Sequence, residues 1–168
     1  MTLFHRARGV PTNSCILLGS PEEARAYPSG DIDLGFCGDC GFISNLAFEA
    51  SLTEYSARYE ETQGYSPTFN AFQRDLAKRL VDRYDLHGKD VVEIGCGKGE
   101  FLMLLCELGG NRGVGFDPGV HTARIRGPGA ERVQVIADFY SDKYAHYRGD
   151  FVACKMTLEH IRPTGVFV

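Results

Sequence analysis

The twelve-residue stretch from Asp90 to Phe101, DVVEIGCGKGEF, constrains this chain more than any other, because it reads as a buried strand running through a glycine-rich turn into a helix. Val91, Val92 and Ile94 form a β-branched run suited to a strand covered on both faces, as strands of a parallel sheet are. Gly95, Gly97 and Gly99 follow it. Residues without a Cβ let the backbone turn with positive φ and let a ligand approach the main chain closely. The apolar segment FLMLLCEL, 101–108, then predicts a helix with Gly109 and Gly110 as its stop. Strand, glycine turn and helix in this order make a ligand-binding corner.

The glycine spacing and the charges select the ligand. The dinucleotide fingerprint G-x-G-x-x-G sets a helix N-terminus against a pyrophosphate, but the sixth position counted from Gly95 is Glu100. A carboxylate there repels a pyrophosphate. The spacing E-x-G-x-G-x-G, beginning at Glu93, suits a cationic or zwitterionic ligand better, and S-adenosylmethionine (SAM) is one. Farther on, Gly113 to Asp117 reads as a second short strand ending in a carboxylate, about where an acidic residue grips a ribose diol.

These residues, with a third strand at Arg132–Ala137, resemble the class I SAM-dependent methyltransferases over roughly residues 65 to 162. The resemblance implies an α/β fold with a Rossmann-like sheet. It also implies cofactor contacts from Glu93, Gly95, Cys96, Gly97 and Gly99, from Asp117 and Pro118 after the second strand, and from Asp138 and Phe139 after the third. In similar enzymes the segment before the first helix folds over the cofactor, which points to Tyr59 and Tyr65; each tyrosine is equally readable as an amphipathic residue at a junction. A fourth strand, Phe151–Cys154, runs into Thr157-LEH-Ile161 at its carboxyl end, where open α/β sheets keep their ligands. This segment is similar to that of sugar C-methyltransferases, and the resemblance makes Glu159 and His160 the catalytic pair. Carbon methylation needs a base to remove a proton α to a ketone, and an imidazole titrates near neutrality. The competing reading gives His160 a structural or cofactor-lining role. His5, His87, His121 and His146 fall in expected loops.

The order of elements follows. Strands are expected near 90–94, 112–117, 132–137 and 150–155. Ser66 and Pro67 open a helix whose apolar stripe is expected to be Phe69, Phe72, Leu76 and Leu80, widened by Ala77, Val81 and Tyr84, and which stops near Leu86 to Gly88. The polar stretch Ser141–Gly149 is expected to be an exposed helix or turn. The domains expected are residues 1–50, a small β-rich knuckle; 51–88, a helical linker and lid; and 89–168, a partial Rossmann-like sheet holding the first four strands.

Six cysteines divide between these parts. Cys96, Cys106 and Cys154 lie within expected α/β elements as small buried thiols. Cys37 and Cys40, in CGDCG, form a C-x-x-C turn, half of a tetrahedral zinc site. The N-terminal segment resembles the zinc-binding domain that precedes the SAM domain in sugar C-methyltransferases, although that family's first cysteine pair is not matched. One reading therefore has zinc held by Cys15, Cys37, Cys40 and His5; the other has a zinc-free knuckle held by Ile16, Leu17, Leu34, Phe36, Phe42 and Ile43.

Composition excludes several classes. A chain of 168 residues, 43% hydrophobic and 24% charged, is an ordinary globular protein with one core, or one core and an appendage. A net charge of −4 without a Lys/Arg cluster argues against nucleic-acid binding. The chain has no apolar run near about twenty residues and no signal-peptide pattern, so a cytoplasmic protein with no membrane partner is expected.

The resemblance implies seven strands in the order 3-2-1-4-5-7-6, and the sequence reaches Val168 just after the fourth. The reading is of a cofactor half, a truncated product or fragment with weak or absent turnover, whose fourth-strand edge invites self-association. Two functions stand: a SAM-dependent methyltransferase of a small molecule, such as a nucleotide-linked keto sugar or other natural-product precursor, and a non-catalytic SAM-binding fragment or interaction module. The acceptor, the atom methylated and the oligomeric state are not written in the motifs.

Overall fold

The structure is a computed structural model and describes residues 1–54, 58–161 and 164–168. Tyr55, at the start of the tyrosine-rich segment, lies outside the described residues. The chain separates into two units, Met1–Glu60 and Glu61–Val168.

The first unit is built on an antiparallel sheet in the order β1 (Thr2–Pro11), β2 (Ser29–Phe36), β3 (Ile43–Asn45), with helix α1 (Pro21–Ala26) between β1 and β2. Ser20 starts α1 by accepting a hydrogen bond from the Glu23 N–H, and Pro21 follows at a position where no N–H is needed. Register between β1 and β2 is marked by charge: Arg8 on β1 lies 2.9 Å from both Asp31 and Asp33 on β2. His5 is a strand residue opposite Leu34, not a loop residue as the sequence reading had it. The apolar set expected to hold this unit does not close over itself. Ile16 is buried, but Leu17, Phe36, Phe42 and Ile43 are exposed. A single three-stranded sheet has no second layer inside its own unit, and α1 buries no residue.

The second unit holds helix α2 (Pro67–Tyr84), β4 (Asp90–Ile94), α3 (Glu100–Gly109), β5 (Arg112–Phe116), β6 (Val133–Ile136), β7 (Phe151–Ala153) and a short C-terminal helix α4 (Thr164–Phe167). Its four strands are parallel and ordered β6-β5-β4-β7, so the first strand in sequence is central and flanked by the second and the fourth. Such an order requires a crossover between neighbouring parallel strands, and α3 supplies the one from β4 to β5. This is a Rossmann-like α/β sheet, with the four strands where the sequence places them.

Helix α2 begins as read, with Ser66 accepting from the Phe69 N–H. Its buried line is different. Gln73, Ala77 and Val81, four residues apart, face inward, with Leu76 and Leu80 partly buried beside them, while Phe72 and Tyr84 are exposed. Ala77, fully buried, allows close approach to the core cluster of Val91, Phe101, Leu102, Leu105 and Cys106; a stripe centred on Phe72 would hold the helix farther away. The helix also stops earlier than expected, at Tyr84, because Asp85 adopts the left-handed conformation (φ 50°) and turns Leu86 into the core.

The stretch Ser141–Gly149 is not merely an exposed turn. The rings of Tyr144 and Tyr147, with Tyr140 just before them, surround buried Phe116 at centroid distances of 4.8, 5.6 and 5.1 Å. Aromatic edges and faces thereby cover the carboxyl end of β5. Among the described residues no helix is long and apolar enough to cross a membrane.

Leu102 is fully buried beneath the sheet and its methyl groups occupy the space that the missing side chains of Gly113 and Gly115 leave on β5. Leu102→Ala is expected to lower unfolding free energy by about 2–5 kcal/mol, measured by urea denaturation.

Candidate functional site

The site begins where β4 ends. The peptide N–H groups of Gly95 and Cys96 both donate to the Phe116 carbonyl, at 2.8 and 3.2 Å, which carries the β4–β5 ladder one step into the turn. Gly95, Gly97 and Gly99 all have positive φ, between 53° and 73°. At Gly95 a Cβ would collide with the Thr157 side chain, and at Gly97 it would come within 2.5 Å of the Glu61 carboxylate. The turn is therefore glycine-rich because other chain segments lie directly on its backbone. Gly99 caps α3, and its carbonyl receives the Met103 N–H at 2.9 Å.

Asp117 follows β5 and is locked to this turn. One carboxylate oxygen accepts from the Gly97 N–H at 3.0 Å and the other from the Gly119 N–H at 2.7 Å. Each oxygen keeps a lone pair for a further donor. Pro118 is half-buried next to it. Cys96 is buried with its sulfur in the space beside Gly115, and burial, with Glu93 and Asp117 nearby, pushes its thiol pKa up. It packs the turn as a neutral thiol.

Glu93 lies on β4 directly beneath the turn, opposite Gly115. Its side chain is fully buried, and burial raises its pKa to about 8; Lys155 and the Leu102 N–H pull the other way, and Asp117 adds to the rise. One of its oxygens, Oε2, has no hydrogen-bond partner among the described residues. A buried polar atom without a partner is costly and is found where a ligand or water completes the site.

The end of β7 reaches the same turn. The Thr157 hydroxyl donates to the Gly95 carbonyl at 3.2 Å, and Met156 before it is held at φ 55°, a left-handed conformation that an unbranched non-glycine residue adopts only under local constraint. Leu158–His160 form a single 3-10 turn after this anchor, and both Glu159 and His160 are exposed on it. Lys155 stands over the ring of Phe101, 5.1 Å from its centroid.

The sequence-derived residues thus divide. Glu93, Gly95, Cys96, Gly97, Gly99, Asp117 and Pro118 form one corner, and Thr157 ties the Glu159–His160 turn to it. Asp138 is engaged locally instead: Lys143, the Tyr144 hydroxyl and the Phe139 N–H all donate to its carboxylate, and these bonds hold its pKa below the ordinary value. Phe139 is exposed beside it. Tyr65 is 80% exposed, on the rim of a groove of about 510 Å³ that Thr62, Lys98, Glu100, Arg124 and Arg126 also line. Tyr59 belongs to the first unit, where it bridges Ile16.

The proposed zinc ligands are not assembled. Among the described residues no group of three or more His, Cys, Asp or Glu side chains is placed to hold a metal ion. Cys37 and Cys40 share the turn between β2 and β3, closed by the Cys37 N–H to the Phe42 carbonyl at 2.9 Å, and N–H groups of Cys40 and Asp39 depress the Cys37 pKa. His5 lies in β1 opposite Leu34 and Cys15 precedes α1, and neither completes a group of three ligands with Cys37 and Cys40.

Three residues were invisible to motif reading. Lys98 and Glu61 form an ion pair at the turn, and Lys155 faces Glu93. Lys98 stands between two required glycines, which was a usable signal; nothing local marks Glu61.

Comparison with known proteins gives the class. The chain belongs to the methyltransferase domain family, which it matches over residues 69–166, more than half of its length. A tRNA U34 carboxymethyltransferase from Campylobacter hominis is 50% identical over 38 residues, 23% of this chain and 13% of that protein. A cyclopropane-fatty-acyl-phospholipid synthase-like protein from Lactobacillus casei superimposes with a TM-score of 0.43 at 20% identity, covering 55% of this chain and 41% of that one. The chain thus spans a minor share of both relatives. The family implies SAM as methyl donor.

Folded Glu93 holds its proton up to about pH 8, whereas in the unfolded chain it is released near the ordinary value of 4.5. Across that interval the folded state binds more protons, so its stability falls as pH rises. Thermal melts of the wild type should show this decline between about pH 5 and pH 8, and Glu93→Gln, which keeps the shape without the titration, should flatten it.

Proposed function

We propose that this chain binds SAM at the corner formed by Gly95–Gly99 and Asp117 and serves methyl transfer to a small molecule, the acceptor being a nucleotide-linked keto sugar or similar natural-product precursor. The observation that carries the reading is the Gly97 N–H bonded to the Asp117 carboxylate: it ties a bare stretch of backbone to an acidic group at the ends of two adjacent parallel strands. The free lone pairs of Asp117 suit the two hydroxyls of a ribose, and the unpartnered oxygen of Glu93 gives the site a polar atom awaiting a hydrogen-bond partner. Bound SAM supplies an electrophilic methyl group on sulfur.

The protein's own work is positioning and proton transfer. Thr157, bonded to the Gly95 carbonyl, holds the Glu159–His160 turn beside the corner. In carbon methylation the His160 imidazole takes the proton from the acceptor carbon. SAM held by Gly95–Gly99 and Asp117 would supply its methyl group to the carbon so deprotonated, the electron pair left there making the new bond and the sulfur keeping the electrons of the old one. Glu159 orients the ring or a substrate hydroxyl.

Calorimetry with SAM, S-adenosylhomocysteine and NAD tests the binding half. Binding of both adenosylated sulfur compounds and not of NAD is expected, and Asp117→Ala should weaken it by about tenfold or more, the scale of losing hydrogen bonds to a charged group. Failure of the wild type to bind either compound ends the reading. Incubation with keto-sugar nucleotides followed by mass spectrometry tests transfer: a mass gain of one methyl group that His160→Ala reduces by about 10²-fold supports it, and binding without transfer makes the chain a SAM-binding module.

A further inference from the structure

The turn between β2 and β3 in the first unit carries two thiols that methyl transfer does not use. Cys37 to Gly41 form a single turn of chain, closed by the Gly41 N–H on the Cys37 carbonyl and by the Cys37 N–H on the Phe42 carbonyl, each at 2.9 Å. Residues three apart in such a turn stand on the same side of it. The Cys40 thiol accordingly reaches the Cys37 sulfur as a hydrogen-bond donor, and the N–H groups of Cys40 and Asp39 point at the same atom. Against these three donors stands one acceptor, the Asp39 carboxylate, 4.0 Å from the sulfur. Donors gathered on a sulfur favour its thiolate, the nucleophilic form. Both thiols are free, Cys37 half-buried and Cys40 exposed, so a reagent in water reaches the pair. The remaining cysteines are not built this way. Cys96 and Cys106 are buried, and burial pushes both thiols up, Cys106 to about 11; burial raises Cys154 as well. Cys15 has the Ser14 hydroxyl 3.6 Å from its sulfur and does not join Cys37 and Cys40 in a group of three.

We propose that Cys37 and Cys40 are a thiol–disulfide exchange site for low-molecular-weight disulfides of the glutathione class, Cys37 attacking and Cys40 resolving. The Cys37 thiolate attacks one sulfur of the small disulfide. Its electron pair makes the mixed disulfide while the old sulfur–sulfur bond breaks, and the first small thiolate leaves with that bond's electrons. Cys40 then gives up its proton and attacks the Cys37 sulfur, displacing the second small thiolate. The protein dithiol is oxidised by two electrons, the small disulfide is reduced by two, and the two protons of the dithiol end on the two released thiols. An internal bond here closes so short a loop that it removes little freedom from the unfolded chain. The pair is therefore placed for reaction and not as a structural staple. This inference is independent of the SAM reading.

The test exposes the full chain to glutathione buffers of graded reduced-to-oxidised ratio, alkylates the remaining thiols at each ratio and locates the changes by peptide mass spectrometry. The wild type should lose two of its six thiols together, as an internal Cys37–Cys40 bond that dithiothreitol reverses. Cys40→Ser should instead keep glutathione on Cys37 as a stable mixed disulfide, and Cys37→Ser should react at least about tenfold more slowly. The wild-type result needs no substitution, so a variant that fails to fold does not rescue the idea. A wild type whose six thiols react alike, or which gathers glutathione without closing the internal bond, overturns the proposal. Zinc retained on Cys37 and Cys40 by the purified protein overturns it too, because the turn is then a metal site.

Discussion

The second unit depends on one small set of hydrogen bonds: the N–H groups of Gly95 and Cys96 on the Phe116 carbonyl, and the Gly97 N–H on the Asp117 carboxylate. They weld the end of β4 to the end of β5 through a turn whose three glycines all adopt positive φ. Without that weld the helix between β4 and β5 has no fixed origin, because α3 is capped by the last of those glycines. The glycines give the turn no side chains of its own there, so Thr157 and Glu61 lie directly against its main chain with Asp117 beside it. Stability and the proposed binding corner thus come from the same atoms.

Around this weld the protein places charge where burial makes it consequential. Glu93 lies under the turn and keeps its proton to about pH 8 because an ionised carboxylate there would be stripped of water. Lys98 is buried as a cation because Glu61 and a carbonyl are at hand. Glu61, Glu93 and Lys98 come together here from different parts of the chain, and the β7 end reaches the turn through Thr157. Met156, one residue earlier, has φ 55°, and the Thr157 hydroxyl lies 3.2 Å from both the Gly95 and the Lys155 carbonyls.

The first unit shows the opposite economy. Its sheet is registered by exposed Arg–Asp pairs, which contribute little free energy each, and several of its large apolar side chains remain in solvent. Its C-x-x-C turn is closed by backbone hydrogen bonds and by contacts of the Cys37 thiol within the turn itself, with no group of three or more metal ligands among the described residues. Spacing in sequence predicted half of a metal site and had no means of finding the other half, since ligands that close a tetrahedron come from parts of the chain brought near only by folding.

What the sequence determined by itself is the sheet and the turn. A β-branched run, three alternating glycines and a carboxylate at the next strand end are local patterns, and local sterics suffice to set them: the four strands and the caps at Ser66 and Gly110 followed, while the order β6-β5-β4-β7 agrees with what the family resemblance implied. What tertiary structure alone decided is which groups meet. The inward line of α2 passed to Gln73, Ala77 and Val81 because close packing on α3 favours a small residue at the crossing over a phenylalanine. The tyrosines of a stretch that reads as polar found Phe116, and Glu61, marked by no motif, came to rest on Gly97. Those encounters join residues between about ten and forty positions apart, and their energy lies in desolvation and packing, which no short window of sequence contains.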